Sequence, residues 1–252
     1  MWPREHGAYA QLILPLLTAM ALGRARWAAV SLGLAAFAVF LAHEPLLVLM
    51  GQRGVRASRE QTRSARRWLL LYGIAALICG VGGVWWSPYV ARHALLVPAV
   101  PGAAFFVLIL ARRERTSAGE MLSAVTLSSI ALPVALAASV APAAAWTCAA
   151  VFASGFSSAT LSVRAVIARP RHSHDLLRLI AGLVAVGALT VLYSLSRYGI
   201  VADVGWRAAA APCFVSVALG AISPSPRYLR YIGWTLMLAF AASGVLLIRG
   251  LR

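Results

Sequence analysis

The strongest constraint on this chain is a recurrence. Apolar runs of roughly 16–25 residues follow one another from end to end, close to the length a helix needs to cross the hydrocarbon core of a bilayer. In lipid every backbone polar group must be satisfied within its own segment, so such runs fold as helices. The pattern predicts nine spans, at about 8–23, 27–50, 68–86, 94–111, 119–141, 143–163, 179–195, 208–222 and 231–248. Composition agrees, with 61% hydrophobic and 12% charged residues, where soluble chains carry about 25% charged. The fold class is therefore an all-α integral membrane bundle, and one polytopic domain over 1–252 accounts for the chain.

The formal net charge is +16, and all 23 basic residues are arginine. They cluster between the apolar runs, which is the pattern of membrane topology rather than of a nucleic-acid face. With the N-terminus in the cytoplasm, nine spans place sixteen arginines inside and seven outside, as the positive-inside rule requires. Trp27, Trp68, Trp85, Trp86, Trp206, Tyr231 and Trp234 stand at the expected span ends, where amphipathic rings settle. The localisation expected is the bacterial cytoplasmic (inner) membrane, multi-pass. Cys79, Cys148 and Cys213 are far apart inside apolar runs, so they read as packing residues. The first run follows MWPREHG without a convincing cleavage site and is expected to remain as a helix.

Residues 41–67 hold the most chemistry. His43, Glu44 and Pro45 lie inside an apolar run, and six arginines follow: Arg53, Arg56, Arg59, Arg63, Arg66 and Arg67. An uncompensated charge at membrane depth costs at least ~2.5 kcal/mol, so Glu44 must face a wet cavity, pair with an arginine or be protonated. Pro45 frees carbonyls at the same depth. A haem-ligand role for His43 with His6 is a weaker reading of two lone histidines. If the arginine loop is helical, Arg53, Arg56, Arg59, Arg63 and Arg66 or Arg67 share one face, fit for anionic lipid or phosphate.

Two more polar stretches flank the spans. Arg4, Glu5 and His6, followed by Gln11, either line a cavity mouth or cap the first helix. Arg164 ends the sixth span, where it can face the bundle interior. Beyond it His172, His174 and Asp175 read as a solvated loop in preference to a metal site. After span four, Thr116 or Ser117 is expected to cap the next helix, with Glu120 reaching back in a capping box. The chain holds no Walker loop, GxSxG or HExxH motif and no cysteine metal site.

PREHGAYAQLILPLL resembles the opening of the YwiC-like family of bacterial membrane proteins, and SVRAVIARPR is similar to that family's second polar stretch. A wider resemblance is to the UbiA-type membrane prenyltransferases, through LPLLTAMALG and through polar loops at 51–67 and 164–178, after the second and sixth helices. That resemblance implies a nine-helix UbiA-like bundle, N-terminus cytoplasmic, over a central lipid cavity. The prenyltransferases hold magnesium and a diphosphate on aspartate-rich motifs. Here those places carry His43, Glu44 and arginines, then Arg164, His172, His174 and Asp175, so a magnesium-bridged diphosphate does not suit this residue set.

The function expected is a divergent UbiA-like protein binding or modifying an isoprenoid or other lipid with an anionic head at a cytoplasmic-side cavity. Arg4, Glu5, His6, Gln11, Arg53 and Arg164 would bind the substrate, and Glu44 or His43 would be the base. If it is an enzyme, it is a prenyltransferase-like transferase. The alternative is a non-catalytic membrane protein: a small permease or a quinone- or haem-associated subunit. The partners expected are the bilayer itself and an isoprenoid or quinone-like lipid. No cofactor is assigned.

Overall fold

The computed structural model describes residues 6–168 and 174–252, and every regular element among them is helical. The helices are α1 (His6–Leu22), α2 (Trp27–Leu49), α3 (Val55–Trp85), α4 (Tyr89–Ala94), α5 (Leu96–Leu110), α6 (Ser117–Ser129), α7 (Ala131–Ala137), α8 (Pro142–Ala168), α9 (His174–Arg197), α10 (Val204–Ile222) and α11 (Leu229–Leu251). A single 3-10 turn, Pro226–Tyr228, leads into α11. Eight segments among the described residues are long and apolar enough to cross a membrane, and Gly7–Leu22 is apolar but shorter. The chain is a multi-pass helical membrane protein.

Prolines mark two helix breaks, one at the start of the expected span 94–111 and one inside the expected span 119–141. Pro98 withholds the N–H that would bond the Ala94 carbonyl, and α4 ends there; Pro133 does the same to Ser129, where α6 gives way to α7. The arginine-rich connection is helical rather than a loop. It forms the start of α3 from Val55, with Arg56, Arg59, Arg63, Arg66 and Arg67 exposed. Arg53 is not part of that stripe, because it lies in the turn before α3.

Helix α8 is the buried axis. It packs against α1, α6, α7, α9, α10 and α11. Without a hydrophobic driving force inside lipid, such contacts depend on close approach and hydrogen bonds. Both are visible. A Cβ on Gly155 would stand 2.7 Å from the Phe240 ring and 3.3 Å from Pro212. The Ser162 hydroxyl donates to the Ser216 carbonyl at 3.0 Å, the Ser243 hydroxyl to Ala208 at 2.6 Å, and the Ala202 amide to Thr147 Oγ1 at 2.8 Å. The rings of Phe156 and Phe240 stack with centroids 3.7 Å apart.

The outer surface is apolar. Leu70, Leu71, Ile74, Leu77, Ile78 and Val81 of α3 are exposed, as are Leu176, Leu179, Leu183 and Val186 of α9. A surface of this kind belongs against lipid tails. Alternating connections bring the α2–α3 turn, the α5–α6 turn, the end of α8 and the start of α11 to one end of the bundle. At the other end the Arg24 amide donates to Ala138 at 2.9 Å and Arg252 Nε to Ala21 at 2.8 Å.

Candidate functional site

A cavity of about 2210 Å³ opens within the bundle. Leu32, Ala36, Leu69 and Gly80 of the α2–α3 hairpin form one wall; Pro98, Gly102, Phe105 and Thr126 of α5 and α6 form another; Phe156 and Phe240 close it from α8 and α11. Leu32 and Glu44 both line it, so it follows α2 for about 18 Å at 1.5 Å per residue.

The charged lining residues gather where the α2–α3 and α5–α6 turns meet. Glu44 is buried on α2, and Arg53 folds back from the turn to grip it: Nε donates to Oε1 at 3.0 Å and NH2 to Oε2 at 2.6 Å. Of the three fates the sequence left to Glu44, pairing with arginine is the one adopted, beside the cavity it also lines. The fork matches both carboxylate oxygens, the strongest geometry for such a pair. Gly51 and Gly54 take positive φ, +71° and +94°, which lets this short turn reverse.

Glu114 is the second carboxylate. It sits in the α5–α6 turn with its side chain only 11% exposed, and its Oε2 lies 3.3 Å from His43 Nε2. Arg53 NH1 is 4.0 Å from Glu114 Oε1 and Arg115 Nε is 3.9 Å from it. His43 Nε2 and Glu114 Oε2 approach without the alignment of a well-formed hydrogen bond, and neither atom has another hydrogen-bond partner among the described residues. The His43 ring holds the Glu114 carboxyl below the usual carboxylate range; burial opposes this, and Arg53 and Arg115 add to it. Gln52 Nε2 completes the junction by donating to the Ile109 carbonyl at 2.7 Å. Three residues from the α2 end and its turn are thus tied to the end of α5.

Glu120 corrects an expectation. Thr116 does cap α6, accepting from the Gly119 amide at 3.2 Å, but Gly119 occupies the position from which a glutamate would reach back. Glu120, one residue further on, turns to Arg164 on α8: Nε donates to Oε2 at 2.5 Å and NH2 to Oε1 at 2.7 Å. Arg164 NH1 also donates to Ser117 Oγ at 3.2 Å, and NH2 to the Arg115 carbonyl.

Of the residues the sequence singled out, His43, Glu44, Arg53, Arg164 and Gln11 all line this cavity. Gln11 Nε2 reaches Thr160 Oγ1 at 3.4 Å. Arg4, Glu5 and His172 lie outside the described residues, as do the side chains of His6 and His174. Asp175 contacts Arg178 at 3.4 Å, and Arg178 Nε donates to Gly220 at 2.5 Å, away from the cavity lining. Among the described residues no group of three histidine, cysteine, aspartate or glutamate side chains is placed to hold a metal ion. Sequence reasoning passed over Glu114. Its signal was present: a single carboxylate among Arg112, Arg113 and Arg115, in a segment where topology asks only for cations.

Comparison with curated proteins and with solved structures finds no match. The family model described as YwiC-like protein matches residues 2–135. That match takes in His43, Glu44, Arg53, Glu114 and Glu120, and stops before Arg164. Since it spans more than half of the chain, the protein belongs to the YwiC-like family.

Proposed function

We propose that this YwiC-like protein binds, and in a catalytic version modifies, an isoprenoid or other lipid with an anionic head. The head lies among His43, Glu44, Arg53, Glu114, Glu120 and Arg164, and the tail occupies the apolar length of the cavity. The observation that carries this reading is the cavity itself, about 2210 Å³ with its charged lining residues drawn from helix ends on one side of the bundle. A mostly apolar channel with a few convergent polar groups suits an amphiphile. The arginine bias supports a cytoplasmic position for this end in an inner membrane.

The likeness to UbiA-type prenyltransferases is part of the proposal. Its support is that Arg53, from the first polar connection, and Arg164, from the end of the sixth expected span, line one cavity. In the catalytic version His43 is the base, with Glu114 orienting its ring, as a carboxylate orients a histidine elsewhere. Glu44 holds Arg53. Gln11 lines the cavity beside them.

The test is lipid retention. Purified protein is delipidated mildly and its bound lipid identified by mass spectrometry, beside Gly233→Leu. Gly233 lines the cavity and has nothing within 4 Å of an added Cβ, so the larger side chain fills the lumen rather than the core. A lipid held by the wild type and lost from the variant supports the reading. Equal lipid in both contradicts it.

A further inference from the structure

The chemical class of the head follows from the charges along the cavity. Arg53 and Arg164, the arginines expected to hold an anion, are already engaged. Arg53 gives Nε and NH2 to Glu44. Arg164 donates to both oxygens of Glu120, to Ser117 and to the Arg115 carbonyl. Among the described residues four arginines and three carboxylates line the cavity, which with a neutral His43 leaves one positive charge over.

That charge resides on Arg115 and Arg230. The Arg115 side chain is 72% exposed and stands 3.9 Å from Glu114. Arg230, in the first turn of α11, is exposed and makes no hydrogen bond or ion pair with any described residue. Gly233 and Met237 follow it at the spacing of one helix face, and both line the cavity. A lipid held at Arg230 therefore has a lined path for its tail.

We infer that Arg115 and Arg230 are the headgroup anchors, and that the lipid they take carries a single negative charge, as a phosphodiester does. This rests on the lipid-binding reading above. Guanidinium forks fit phosphate oxygens. A diphosphate brings more negative charge than the leftover cation balances, and the excess would lie against Glu44, Glu114 and Glu120, where a desolvated unpaired charge is costly.

The experiment titrates the delipidated full chain in detergent with phosphatidylglycerol, phosphatidylethanolamine and farnesyl diphosphate, read by native mass spectrometry. Wild type is compared with Arg230→Gln, Arg115→Gln, Gly233→Leu and Arg197→Gln; the last removes an equal exposed charge from the end of α9, outside the cavity lining. Inorganic phosphate is added as a competitor. Phosphatidylglycerol should bind best, weaken about tenfold in Arg230→Gln and in Arg115→Gln, and be unchanged in Arg197→Gln and by millimolar phosphate. The inference is overturned if both cavity variants bind as the wild type does, if the diphosphate binds more tightly, or if free phosphate displaces the lipid. A different result, no lipid bound by the wild type and no effect of Gly233→Leu, overturns the lipid reading itself.

Discussion

Glu44 and Arg53 form a two-pronged ion pair across the end of α2, at 3.0 and 2.6 Å, with side chains only 9% and 15% exposed. Removing one partner strands the other in a place with little water. Glu44→Gln and Arg53→Gln are each expected to cost about 3 kcal/mol. The double variant should cost less than the two singles together, since no unpaired charge remains. Thermal unfolding in detergent measures this. Additive losses would show that the pair is not a unit.

Glu114 gives the junction a pH dependence. Its carboxyl is held below its ordinary value of 4.5, chiefly by His43, with Arg53 and Arg115 in support and burial opposing; Glu44 is the other carboxylate contacting Arg53. A depressed folded value stabilises the protein fully above the unfolded value, and that contribution is lost as pH falls through the folded one. Unfolding midpoints should therefore hold from pH 7 to about 5 and fall below 4.5. In Glu114→Gln that part of the decline should be absent. An identical acid profile in the two proteins would assign the loss to other carboxylates.

The helical architecture and the membrane class were legible because a 3.6-residue turn and a hydrocarbon core impose length and polarity together. His43, Glu44 and Arg164 were legible for a related reason: ionisable groups at depth are costly, so each needs a partner or a cavity. The identities of the partners were not. Arg53 read as one of a stripe of arginines, and only the turn at Gly51 and Gly54 separates it from the helix that holds the rest. Glu120 fitted a capping box by spacing, yet the cap proved to be Thr116, one residue too early for Glu120 to reach. The Glu114 contacts join segments far apart in sequence, which local pattern does not encode.

Gly119 sets the shape of the α5–α6 turn. A Cβ there would stand 2.3 Å from the Glu114 carbonyl oxygen and 2.8 Å from that of Arg113. Backbone, not a flexible side chain, would have to give way. Gly119→Ala should lower stability by about 2 kcal/mol and speed amide exchange through residues 111–116. Unchanged exchange in that turn would show that the close approach is not structurally required.

Arg164 joins α8 to the start of α6 through a fork, which a lysine does not reproduce. Arg164→Lys should therefore behave nearly as Arg164→Gln does, each losing about 1 kcal/mol given partial exposure of the pair. Glu120→Gln should couple to both. Full rescue by lysine would mean that charge alone, rather than the fork, makes the contact.

The central claim is that a lipid tail lies inside the bundle. It is tested most directly by photo-crosslinking in native membranes, using a phosphodiester lipid with a diazirine on its tail, followed by mapping of the modified peptides. Adducts are expected on lumen residues such as Ala36, Gly102, Phe105 and Met237, which line the cavity, and should diminish in Gly233→Leu. Adducts confined to the outward faces of α3 and α9, at Ile74, Leu77, Leu179 and Leu183, would place the lipid around the protein and contradict the account.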